Sequence, residues 1–159
     1  MDQAAVRDLF RRAMADSDAA AMREGLEHLL GIAEGGGLNA DEEYALRSEA
    51  FVMEMPQSGE RIRGRDAMRA MQQAFPAPPR QVKIRRVWGA QRVWVLEGEL
   101  DYGEGPWSVA VLIELDDDGL IGRETRYYSE KSAAPEWRSA WVEPIDEESP
   151  RGPGYHLGR

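Results

Sequence analysis

Four glutamates interrupt runs that otherwise read as apolar strands. Glu54 stands between Met53 and Met55, Glu97 follows Leu96, Glu114 stands between Ile113 and Leu115, and Glu124 lies on the last strand-like segment. A carboxyl group held in apolar surroundings has its pKa raised towards neutrality, which suits it to take up and return a proton. Tyr102, Tyr127 and Tyr128 are candidate donors to a developing oxyanion. Trp88, Trp94 and Trp107 are candidates to line a flat apolar ligand site. Each has an ordinary structural reading beside the chemical one. Glu54 and Glu124 are equally suited to ion pairs with Arg61, Arg63 or Arg126, and Glu97 and Glu114 suit a solvated or subunit-facing side of a sheet, because strand residues alternate between faces. The tyrosines and tryptophans would serve as core residues.

Other chemistries find no support. The two histidines, His28 on a helix and His156 near the end of the chain, form no metal cluster and no nucleophile triad. Asp116-Asp-Asp-Gly119 lacks the distal glutamate and spacing of a calcium loop and reads as a hairpin turn. Gly35-Gly-Gly37 follows a helix and precedes no Lys-Ser or Lys-Thr pair, so it reads as a helix stop and not a phosphate cradle. No cofactor is expected.

These residues must be positioned mainly by the stretch from Gln81 to Tyr128, which reads as a four-strand antiparallel meander. Its clearest strand, Trp107 to Leu115, places Trp107, Val109, Val111, Ile113 and Leu115 on one face at period two. Both faces of that strand carry apolar residues, so it is expected to be central and covered on both sides. Asp116–Gly119, Tyr102–Pro106 and Gly89–Gln91 supply the turns. In the first strand Val82, Ile84, Arg86 and Trp88 alternate with Lys83, Arg85 and Val87.

Upstream, Val6, Leu9, Phe10, Ala13 and Met14 define an amphipathic helix over residues 2 to about 15. Ser17 or Asp18 caps a second helix whose buried stripe is Met22, Leu26, Leu29, Leu30 and Ala33. A short third helix spans Asp41 to Ser48, followed by a strand over Ala50–Met55, a return strand at Arg61–Arg63, and a helix opened by Gly64-Arg65-Asp66 that runs through Met68, Met71 and Phe75. Pro135-Glu-Trp137 and Trp141 are expected to pack back on the body, and from Glu143 the acidic, then Gly- and Pro-rich, end is expected to be a flexible tail.

With 159 residues and 42% hydrophobic composition, the chain is sized for one domain, expected over residues 1–142. A net charge of −9 argues against a nucleic-acid partner, although Arg61–Arg65 and Arg80–Arg86 are basic runs. The lack of any run of about 18 apolar residues argues against a membrane span. With no leader-like start and no cysteine, a cytoplasmic location is expected.

The order of elements, the segment Phe51-Val-Met-Glu-Met-Pro-Gln-Ser-Gly-Glu-Arg-Ile-Arg-Gly-Arg65, the meander, and Arg123-Glu-Thr-Arg-Tyr-Tyr128 followed by Ala134-Pro-Glu-Trp-Arg138 resemble the SnoaL-like branch of the NTF2-like superfamily over residues 5 to 142. The resemblance implies an α+β cone, with N-terminal helices packed on a curved, mostly antiparallel sheet around an internal pocket, and a homodimer formed through the outer sheet face. The superfamily includes isomerases, cyclases, dehydratases, epoxide hydrolases and binding modules, so fold does not select function. Its enzymes use a pocket carboxylate to move a proton beside a carbonyl or epoxide, and Glu124 is the nearest match to the acid of the late strands. Ser129-Glu130 stand where the family has an aspartate after the aromatic pair, which counts against cyclase chemistry. Two functions follow as expectations. The first is an internal apolar pocket, lined by Trp88, Trp94, Tyr102, Trp107 and Tyr128, that binds a small hydrophobic molecule. The alternative is a cofactor-free acid-base enzyme using Glu54 or Glu124 with Tyr127.

Overall fold

The computed structural model describes residues 1–32, 40–76 and 81–145. The glycine stop at 35–37, most of the proline segment after Pro76, and the end of the chain from 146 therefore lie outside the described residues. Two amphipathic helices come first, α1 (Gln3–Asp16) and α2 (Ala19–Leu29), with Asp2 and Asp18 as their caps, accepting from the amides of Ala5 and Ala21. Their apolar stripes meet closely. A Cβ added at Gly25 would lie 2.6 Å from Cε1 of Phe10, so the contact needs a glycine. Next come α3 (Ala40–Leu46), β1 (Arg47–Met55), β2 (Glu60–Arg63) and α4 (Arg65–Ala74). The meander follows as β3 (Gln81–Ala90), β4 (Val93–Asp101), β5 (Pro106–Leu115) and β6 (Ile121–Glu130).

The six strands form one open sheet in the order β2-β1-β6-β5-β4-β3. All neighbours are antiparallel except β1 and β6, which run parallel. The helices cover one face of the sheet, and the core between them holds Phe10, Met22, Phe51, Met53, Met68 and Trp94, all fully buried. This is an α+β NTF2-like cone: helices on the concave side of a mixed sheet that does not close.

Some boundaries and faces differ from the sequence expectation. The third helix stops at Leu46, and Arg47 already belongs to β1. A bulge between Ile84 and Arg86 reverses the alternation in β3, so Ile84 and Val87 point inward while Trp88, paired with Val95, points outward. The outer face of β5 is not covered within the chain: Leu112 is exposed, as are Val93 and Tyr127 on the neighbouring strands.

The hairpin at Asp116–Gly119 has the local bonding that its sequence suggests. The Asp116 carboxylate accepts from the amides of Asp118 and Leu120, and Gly119 takes the positive φ of 77°. Arg7 and Arg11 both donate to the Asp118 carbonyl, tying α1 to this turn. Beyond β6 the expectation of packing fails. Trp137 and Trp141 are 75% and 80% exposed around a short 3-10 turn at Glu136–Arg138, so no described part of the chain covers them.

Candidate functional site

The concave face carries a buried polar cluster at its centre. Glu124 enters from β6, next to Ile113 of β5 and Met53 of β1 in register. Arg126, two residues on and therefore on the same face, donates from Nε to Glu124 Oε2 at 2.7 Å, and its Nη2 pairs with the same oxygen. Arg47 Nη2 reaches Glu124 Oε1 at 3.7 Å and Glu43 Oε2 at 2.9 Å. Gln72 of α4 closes the group by donating to Glu43 and accepting from Arg47 Nη1 at 3.4 Å. The Arg47 guanidinium lies 4.9 Å from the centre of the Phe51 ring, and its Nε is buried without a partner among the described residues.

The electrostatics of Glu124 follow from this arrangement. Burial alone would raise its pKa, but the Arg126 and Arg47 guanidiniums outweigh burial and hold the carboxyl below its ordinary value. Burial likewise opposes the charge on Arg126, and the Glu124 carboxylate overrides it, raising the arginine above its usual range. Glu124 is therefore a clamped carboxylate, ionised at neutral pH, and a weak base. That is the opposite of what proton transfer at neutrality asks of it.

An aromatic rim adjoins this cluster. Arg126 Nη1 donates to the Tyr128 hydroxyl at 3.3 Å, which leaves the Tyr128 proton to donate. Tyr102, just past β4, contacts Trp107 edge-on with ring centroids 6.3 Å apart and Phe75, at the end of α4, at 6.0 Å. Burial and the neighbouring Tyr128 raise the Tyr102 pKa, against the opposing pull of Arg126, so its hydroxyl stays protonated through the neutral range. Trp107 is only partly buried and Phe75 is exposed, so this rim is open to solvent at its outer edge.

The expected site residues are thus divided. Glu124, Tyr102, Trp107 and Tyr128 come together on the concave side. Trp94 shares that face but lies in the core, fully buried, with its indole N–H donating to the Gln91 carbonyl at 2.8 Å. Glu54, Tyr127 and Trp88 are on the outer face. Glu54 pairs there with Arg61 at 3.0 Å and with Arg123, Tyr127 is 46% exposed, and Trp88 lies beneath the Arg86 guanidinium. Glu97 and Glu114 are also on that face, paired with Arg86 and Arg123. Two hollows among the described residues lie away from the aromatic rim. One, of about 350 Å³, is at the β1–β2 turn beside Glu54 and Arg61, and one of about 280 Å³ is between α1 and α3.

Glu43, Arg47, Gln72 and Phe75 were not expected at the site. Signals for them exist in the sequence: Glu43 and Arg47 have the spacing of an ion pair, and Gln72 follows buried Met68 by four residues, so the two share one face of α4. Among the described residues no group of three or more His, Cys, Asp or Glu could hold a metal ion, and no helix is long and apolar enough to cross a membrane.

No protein-family model and no curated protein matches the chain. Solved structures do. An NTF2-like protein of unknown function from Burkholderia xenovorans is 29% identical, with a TM-score of 0.67 over 87% of this chain and 97% of that one. A Kribbella flavida protein, described only provisionally as a ketosteroid isomerase, is 25% identical, with a TM-score of 0.64 over 91% of this chain and 93% of that one. A steroid delta-isomerase from Pseudomonas aeruginosa, at 18% identity and a TM-score of 0.55 over 70% and 80% of the two chains, shares the fold. With its helices on the concave side of an open six-stranded sheet and these structural likenesses, the chain belongs to the NTF2-like superfamily.

Proposed function

We propose that the protein is a SnoaL-like binding module that holds a small hydrophobic molecule on its concave side, against Tyr102, Trp107 and Tyr128, without carrying out chemistry on it. An NTF2-like fold suits a ligand-binding or an isomerase-type role. The observation that carries the first is the clamp on Glu124. A carboxylate held ionised between Arg126 and Arg47 has no reason to take a proton from a carbon acid at neutral pH. The half-open rim of Phe75, Tyr102 and Trp107 offers apolar, flat surface.

Titration with Nile red, an uncharged apolar dye, tests this reading. Saturable, blue-shifted emission that is lost in Trp107→Ala is expected. A response that does not saturate, or that survives Trp107→Ala unchanged, would sink it.

A cofactor-free acid-base enzyme is the second reading, favoured by the Arg126–Tyr128 hydrogen bond, since an arginine-backed hydroxyl suits a developing oxyanion. It calls for a base other than the clamped Glu124. A homodimer through the outer sheet face accords with exposed Val93, Leu112 and Tyr127, and light scattering that returned a monomer mass at all concentrations would remove it.

A further inference from the structure

We propose that the segment after β6, from Lys131 to Ile145, is a lid that closes over the aromatic rim of the concave site when an apolar molecule occupies it, with Trp137 and Trp141 as the side chains that come down on that molecule. The proposal rests on the reading that the concave side binds a small hydrophobic molecule.

Strand register places the root of the segment at the site. Glu130, the last residue of β6, lies directly opposite Trp107 of β5, so the chain leaves the sheet beside the rim. Opposed residues on antiparallel strands have Cα atoms about 4.5–5.5 Å apart. The rim extends from there through two ring contacts, Trp107 to Tyr102 at 6.3 Å and Tyr102 to Phe75 at 6.0 Å. Trp137 is seven residues beyond Glu130, and a chain of that length spans at most about 25 Å, which is enough to reach Phe75. Lys131 to Pro135 form no helix or strand, so folding this stretch over the rim breaks no regular structure.

Apolar surface supplies the second observation. The segment has local order of its own, because the Ser139 amide donates to the Glu136 carbonyl and the Trp141 amide to the Arg138 carbonyl, both at 3.0 Å. Trp137, Trp141 and Ile145 are nevertheless 75%, 80% and 77% exposed. The rim lacks cover in the same way, with Phe75 exposed and Trp107 half-buried. A flat apolar molecule on Trp107 enlarges the apolar surface at the mouth, and closing two indoles over it takes all of them out of water. Without that added surface, closure would order the segment for less buried area. A ligand therefore shifts the balance by binding the closed form better than the open one.

Trypsin cleavage with and without Nile red tests this, because Lys131 and Arg138, both exposed, put two cleavage sites in the segment. Saturating dye is expected to slow cleavage after Arg138 about tenfold in the wild type, since cleavage follows the population of the open form. In Trp137→Ala/Trp141→Ala the dye is expected to leave that rate unchanged and to bind about tenfold more weakly. The double variant removes only exposed side chains, so its fold is expected to be kept. Dye that binds the double variant as tightly as the wild type, or that leaves Arg138 of the wild type as open to trypsin as before, would overturn the lid while leaving small-molecule binding standing. Protection that arises without dye and grows with protein concentration would assign the segment to a second copy of the chain and overturn closure within one chain. A wild type with no saturable dye response would defeat the underlying reading, and the lid with it.

Discussion

Glu124 is paired in register with Met53, so Glu54, one residue further along β1, projects from the opposite face of the same two strands. The two carboxylates cannot serve one site, and their surroundings differ in kind. Glu124 and Arg47 have side chains only 5% and 3% exposed, whereas Glu54 and its partners Arg61 and Arg123 stand at a wet surface. Removing Glu124 takes from Arg126 its carboxylate partner and leaves Arg47 with Glu43 alone. Glu124→Ala is expected to cost about 3–5 kcal/mol of stability. Glu54→Gln loses surface ion pairs and is expected to cost about 0–1 kcal/mol. Urea unfolding of the two variants measures both, and comparable losses would contradict the assignment of faces.

The clamp on Glu124 also predicts a pH dependence. Burial pushes its pKa up, but Arg126 and Arg47 bring the folded value below the ordinary 4.5. The folded state therefore binds this proton more weakly than the unfolded state. The contribution to stability is complete above about pH 4.5 and is lost as the pH falls through the depressed folded value. Wild type and Glu124→Gln, compared by urea midpoints from about pH 7 down to about pH 3, are expected to differ most at neutrality and to converge in acid. A gap that stayed constant across the range would show that the carboxylate charge is not what matters.

Trp94, Trp137 and Trp141 have opposite fates, which gives a third test. Trp94 is fully buried among Leu96, Ile113 and the helix side chains of the core, so Trp94→Ala is expected to cost about 3–5 kcal/mol. Trp137 and Trp141 are the exposed pair beyond β6, and replacing both with alanine is expected to shift stability by no more than about 0.5 kcal/mol. The double variant should also lose the red-shifted part of the tryptophan emission. A large destabilisation would mean that the segment does pack on the body.

The meander was legible because its turns and its period-two apolar pattern are local signals. Trp107, Val109, Val111, Ile113 and Leu115 do share the inner face. Trp88 was not placed by the same rule, because one bulge between Ile84 and Arg86 changes which residues share its face, and nothing in the alternation of Val82 to Trp88 announces an extra residue. The parallel pairing of β1 with β6 joins segments about 70 residues apart in sequence, and no local pattern encodes it. That pairing brings Arg47 to Glu124. The partners of Glu124 were thus only half readable: Arg126 follows from same-strand spacing, while Arg47 depends on where α3 ends and on which strand β1 joins.

Gly25 offers a test of the helix layer that holds α2 against α1. On helix propensity alone, Gly25→Ala should stabilise α2 by about 1 kcal/mol. The Phe10 ring stands in the way, with Cε1 2.6 Å from where the new methyl would be, and Phe10 is itself fully buried, so it has no open space to move into. Overpacking of a filled core costs about 1–3 kcal/mol, which exceeds the propensity gain over most of that range. A net destabilisation of about 1 kcal/mol is expected for Gly25→Ala in urea unfolding. Gly25→Ala combined with Phe10→Leu should recover part of the loss, since the smaller side chain vacates the contact. If Gly25→Ala instead raised stability, the close approach of α1 and α2 at Phe10 would be wrong.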